Sequence, residues 1–219
     1  MSAYFARCYF TIPIQLMLNI FFLIAYVLHY KKLKGMGGIA LYAVVTLAQC
    51  VAGIYLILSP SRGRLPEAFM EIFMAVEFIL FYLFLTGSIR ARLFRFILKT
   101  VMILFPAAIL YFQAFSPSLY RPVFRFSMTE TYLIVIPCLF YYYELFMTET
   151  AVNLFNESRL WAVSGIFFFM LLSSFFTQGY GPYAALHEPS GIYAVALFGY
   201  IFLFISFIIA LACQIRIQK

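Results

Sequence analysis

Apolar residues fall along the chain in seven long runs separated by short polar or Gly- and Pro-bearing stretches, and the lengths of the runs set the first expectation. At a rise of about 1.5 Å per residue, roughly 20 apolar residues cross the ~30 Å hydrocarbon layer of a bilayer. The runs cover residues 9–30, 38–59, 66–87, 96–115, 130–147, 160–178 and 191–213, and each predicts a helix. The expected fold is therefore all-α, a single domain over 1–219 with seven transmembrane helices. Lys31, Lys32 and Lys34 separate the first two helices, and Pro60-Ser61-Arg62-Gly63-Arg64 separates the second and third. Pro66 suits a first helical turn, where its missing N–H would be unpaired anyway. The stretch SIRARLFRFILK, 88–99, places Arg90, Arg92, Arg95 and Lys99 in an interfacial connector whose side chains can snorkel to phosphate depth. Residues 116–129 form a loop with Pro117 and Pro122, and Pro137 breaks the fifth helix. Pro13 and Pro106 fall inside two others, and kinks without function are common in membrane helices.

The polar residues inside the runs are few. Glu77 sits at the centre of the third, where an acidic side chain costs about 2.5 to 3.5 kcal/mol and normally faces other helices or a cavity. Asn19 lies near the middle of the first run with Gln15 one turn away on the same face, and Gln49 lies near the middle of the second with Thr46 beside it. If the first three helices pack side by side, these groups meet at one level, with interhelical hydrogen bonds worth about 0.6 to 2 kcal/mol each. Glu77, Asn19, Gln49 and Thr46 are then the expected ligand-binding set. The plainer reading of Glu77 is a protonated carboxyl that ties the bundle together. Glu67 and Glu71 fall on a different face and mark an outer mouth, since six residues advance a helix by about 240°. Glu144, at the end of the fifth run, is expected to meet Arg90 or Arg92, and with Arg95 these form a cytoplasmic partner face.

Composition narrows the function. Charged residues make up 11% of the 219, against about 25% in soluble domains, and hydrophobic residues 65%. All eight acidic residues are Glu, so there is no Asp, and there are two His. A metal site needs three or four convergent ligands, and His187 with Glu188 supplies two, His29 being expected on the opposite side of the membrane. No metal or other cofactor is expected. Every Lys lies in a loop, at a run end or at the C-terminus, which removes a retinal Schiff base, and no HExxH or glycine-rich phosphate loop occurs. No catalytic residues are assigned, and a non-enzyme is expected. Cys8, Cys50, Cys138 and Cys213 show no disulfide spacing. The first run ends in basic residues and lacks a cleavage site, so it is expected to stay as an anchor. The net charge of +7 stands between apolar runs rather than on a soluble domain, which favours lipid headgroups over nucleic acid.

Alternate connecting segments hold five and ten Lys or Arg, and the richer set belongs in the cytoplasm. The N-terminus is then outside and the C-terminus cytoplasmic, with the sequon Asn156-Glu157-Ser158 on the unglycosylated side. VEFILFYLF around Glu77, YYYELF closing the fifth run and NLFNESRLWAVSGIFFF opening the sixth resemble small seven-helix integral membrane proteins of bacteria. These in turn are similar to the seven-helix input regions of bacterial signalling receptors. The resemblance implies the bacterial inner membrane and a sensory or regulatory module that binds a small or lipid-like ligand between helices. Six residues follow Cys213, so a signal is expected to pass to a partner such as a histidine kinase or another membrane protein. A small proton-coupled transporter using Glu77 and a structural subunit of a membrane complex are the alternatives.

Overall fold

A computed structural model describes residues 2–33, 36–58, 65–115, 122–148, 154–179 and 190–217. Among these residues there are seven α-helices and no strand: α1 (Ser2–His29), α2 (Gly37–Leu58), α3 (Leu65–Ser88), α4 (Arg92–Phe115), α5 (Pro122–Thr148), α6 (Ser158–Gly179) and α7 (Ser190–Ile217). Short 3-10 turns stand at Tyr30–Lys32 and Leu154–Asn156.

Three helices begin well before their apolar runs, α1 at Ser2 rather than 9 among them. Helix α4 begins at Arg92 rather than 96, so Arg92, Arg95 and Lys99 lie on a helix and only Ile89, Arg90 and Ala91 remain as the connector. Arg and Lys are good helix formers, and charge alone does not end a helix. Helix α5 begins at Pro122, so residues 122–129 are helical rather than looped. Proline at a first helical position forfeits no hydrogen bond. The expected break at Pro137 is also absent, because α5 runs through it. Pro137 is buried, and in a tight bundle neighbouring groups accommodate the missing N–H.

Pairs of contacts fix the directions of the helices. Gln15 meets Cys50 and Asn19 meets Thr46, so α1 and α2 are antiparallel. Tyr82 meets Leu133, and Arg90 with Ala91 meets Glu144, so α3 and α5 are parallel. Helix α1 packs on α2, α2 on α3, α3 on α5, α5 on α6, α6 on α7 and α7 back on α1. The result is a ring of six helices, with α4 outside it against α3 and α5. Helices α6 and α7 pack most extensively, and Gly165 explains their approach. A Cβ at Gly165 would stand 2.8 Å from Ser206 Cβ and 3.3 Å from the Leu203 carbonyl oxygen. Small residues at such contacts let backbones come close where no hydrophobic drive brings helices together.

Aromatic rings fill the ring's interior. Tyr42 lies 4.6 Å from Phe81 and 6.1 Å from Phe207, and Phe204 packs on Phe22, Tyr200 and Phe207 at 6.0, 4.9 and 5.9 Å. Offset and edge-on pairs of this kind add about 0.5 to 1.5 kcal/mol beyond the area they bury. The outer surface is also apolar. Among the described residues three segments, Ile12–His29, Arg92–Phe112 and Leu197–Arg216, are long and apolar enough to cross a membrane, and the first is only 11% buried. Met17, Leu28, Leu93 and Phe96 face outward, an arrangement that would associate in water and that hydrocarbon solvates.

Candidate functional site

The middle of the bundle holds two polar groups of different character. The first joins α1, α2 and α7. Asn19 is fully buried, and its Nδ2 donates to the Gln15 carbonyl and to the Tyr200 hydroxyl, both at 2.8 Å. The Thr46 hydroxyl is 2.6 Å from Asn19 Oδ1 and 3.1 Å from the carbonyls of Tyr42 and Ala43. It has one proton, and the shortest contact takes it. Both amide hydrogens and the amide oxygen of Asn19 are thereby used, so this group is a closed tie between three helices. Gln49 lies half-buried one turn beyond Thr46, and none of these bonds reaches it. Gln15 serves instead, offering its carbonyl to Asn19 and its Oε1 to the Cys50 thiol at 3.7 Å.

The second group is open. Tyr42 Oη donates to Glu77 Oε1 at 2.9 Å, and the Tyr42 ring is held by Phe81 and Phe207. Glu77 is half-buried. Its neighbour on the chain, Phe78, stacks on Tyr82 at 4.2 Å and against Phe105 of α4 at 4.5 Å, which fixes the helix beneath it. Across from α3 stands Glu130 of α5, only 5% exposed, with Oε1 buried and without a hydrogen-bond partner. The Tyr82–Leu133 bond sets the register of these parallel helices, so Glu130 lies about two residues, or ~3 Å in height, from the level of Glu77. A phenol and a carboxyl thus join α2 to α3, and a second carboxyl stands near their level on the adjoining α5 with hydrogen-bonding capacity to spare. Such a set can hold a proton, a cation or a ligand with donor groups.

The structure brings Asn19 and Thr46 together and leaves Glu77 bonded to Tyr42 rather than to an amide. Tyr42, Tyr200 and Glu130 are site residues that the apolar pattern does not single out. Glu130 opens the fifth apolar run, whereas α5 starts two turns earlier and carries it into the bundle. A signal was present: Glu130, Ile134, Cys138, Tyr141 and Leu145 recur at helical spacing and are all buried.

At the far end of α3 Glu144 meets Arg90, as the sequence suggests, and does so through the backbone. Glu144 accepts hydrogen bonds from the backbone N–H groups of Arg90 and Ala91, both at 2.8 Å. A carboxylate on the amides that open α4 satisfies donors left orphaned there and complements the helix dipole. Arg90 and Arg92 are exposed, and Arg95 Nη2 donates to the Arg90 carbonyl at 3.2 Å. The side chains of Glu67 and Glu71, and all of His187 and Glu188, lie outside the described residues. Cys50, Cys138 and Cys213 are free thiols.

No family model, curated protein or solved structure matches this chain.

Proposed function

We propose that the chain is a sensory or regulatory module of the bacterial inner membrane. All seven helices cross the bilayer, with the N-terminus outside and the C-terminus cytoplasmic. A small or lipid-like ligand is recognised between helices at Glu77, with Glu130 and Tyr42 beside it, and a partner protein such as a histidine kinase reads the response at the basic end. The observation that carries this reading is the double attachment of α3 to α5. The two helices face each other at the open carboxyl pair, are tied at Tyr82–Leu133, and meet again where Glu144 holds the start of α4. A change in packing at the pair therefore has a rigid route of helix and hydrogen bonds to the exposed Arg90 and Arg92.

The test compares Glu77→Gln and Glu130→Gln with the wild-type chain for abundance in the membrane and for partner cross-linking from a photoreactive residue at position 92. Unchanged abundance with altered cross-linking yield is expected. Unaltered yield in both variants overturns the reading.

One observation favours a second reading, a proton-coupled transporter. The unpartnered Glu130 oxygen, on the helix packed against α3 and near the level of Glu77, gives a carrier pair rather than a lone carboxyl. Transport requires alternating access, so the buried Cys50 should become reactive from each side in turn under a proton gradient. A Cys50 sealed under all gradients counts against it.

A further inference from the structure

The elbow between α3 and α4 carries a groove of about 450 Å³ lined by Thr86, Gly87, Arg92, Arg95, Phe96 and Lys99. Three of these six residues are cations and none is a carboxylate. Arg92, Arg95, Phe96 and Lys99 follow at spacings of three and four, so one face of the first two turns of α4 presents all of them. At the floor of the groove nothing stands within 4 Å of the position a Gly87 Cβ would take, which leaves room over the α3 terminus. Two polar atoms there, Thr86 Oγ1 and Arg95 Nε, are buried without a hydrogen-bond partner. The Arg95 guanidinium is nonetheless held in place, since its Nη2 donates to the Arg90 carbonyl. A hydroxyl, an orphaned guanidinium N–H and two further cations around one open space match an oxyanion that accepts from several donors at once.

The surroundings say what the oxyanion is attached to. Helix α4 lies outside the ring, and Phe96 and Ile103, two turns apart on the groove face, are 70% and 66% exposed. An acyl chain descending from the groove would lie along them. Basic pockets of this kind beside apolar helix surfaces are suited to anionic lipid headgroups. We propose that the groove binds the phosphate of an anionic phospholipid, with its acyl chains along the outward face of α4. Free phosphate shares the headgroup chemistry but makes no use of that face. A zwitterionic lipid brings its own cation into a site that already has three. The inference stands independently of whether Glu77 binds a ligand.

The test uses the full chain, delipidated in detergent and titrated with dioleoyl phosphatidylglycerol, dioleoyl phosphatidylcholine and inorganic phosphate, with bound species read by native mass spectrometry. Phosphatidylglycerol should bind in preference to phosphatidylcholine. The triple variant Arg92→Gln/Arg95→Gln/Lys99→Gln should lose about fivefold per cation, on the order of a hundredfold in all. Arg159→Gln/Arg216→Gln, which removes two cations outside the groove, should leave the preference unchanged. If the triple variant does not elute as the wild type does, Arg95→Gln alone is measured, with about a fivefold loss expected. Equal binding of the two lipids, or phosphatidylglycerol binding that survives loss of the groove cations, overturns the proposal. So does displacement of phosphatidylglycerol by an equal concentration of inorganic phosphate, which would assign the groove to the free anion.

Discussion

Thr46 shows how much can rest on one proton. Its hydroxyl, 2.6 Å from Asn19 Oδ1, completes the bonding of a fully buried amide that joins α1, α2 and α7. Thr46→Val keeps the shape and removes the donor, leaving a buried acceptor unpaired. The expected loss is about 1 kcal/mol, the usual scale for interhelical bonds in membranes, read as a lower thermal midpoint in detergent. Thr46→Ser should restore most of it. If Val and Ser variants melt together, the hydroxyl contributes nothing and the tie lies elsewhere. Glu77 and Glu130 sit at the opposite extreme, with acceptor sites left open, and such under-bonded groups inside a bundle are where function is expected to lie. Asn19 and Thr46 were legible as interior polar residues from their place in apolar runs. Their closed bonding, which moves them from ligand site to structural tie, was not, because it depends on Tyr200, 181 residues along the chain from Asn19.

Among the elements, α6 and α7 are joined by shape more than by bonds. Gly165→Ala would place a methyl group 2.8 Å from Ser206 Cβ and against the Leu203 carbonyl, neither of which is the far end of a flexible side chain. The helices must then separate, with an expected cost of about 1 to 3 kcal/mol. A Gly165→Ala midpoint equal to wild type would show that the pair has slack the geometry denies. Helix α5 carries a different lesson. Its start at Pro122 follows proline's local rule, which permits a first helical position, while its passage through Pro137 runs against the rule that penalises an interior proline. At Pro137 packing decides: this part of α5 is held between α3 and α6, by Tyr82 to Leu133 on one side and by Tyr142 to Ser164 at 2.9 Å on the other.

For the whole molecule, the proposed topology puts ten of the fifteen Lys and Arg on one side of the bilayer. Fusions at the C-terminus should accordingly give fluorescent green protein and inactive alkaline phosphatase. Fusions in segment 59–64 should give the reverse pattern, and a phosphatase active at both positions would invalidate the seven-span arrangement.

The all-helical character and the number of helices were determined by the sequence alone, because run length and mean hydropathy are local properties that any packing must respect. The presence of an interior carboxyl at Glu77 was determined in the same way, by its position in an apolar run. Only the tertiary structure decided its companions. A helix places a side chain on a face, but which face meets which helix depends on ring order, and here α3 neighbours α5 while α4 is displaced outward. That choice brings the helix bearing Glu130 against α3, while α2 meets Glu77 through Tyr42 rather than Gln49. The structure also shows the basic stretch after α3 as a helix from Arg92 whose first face lines a groove.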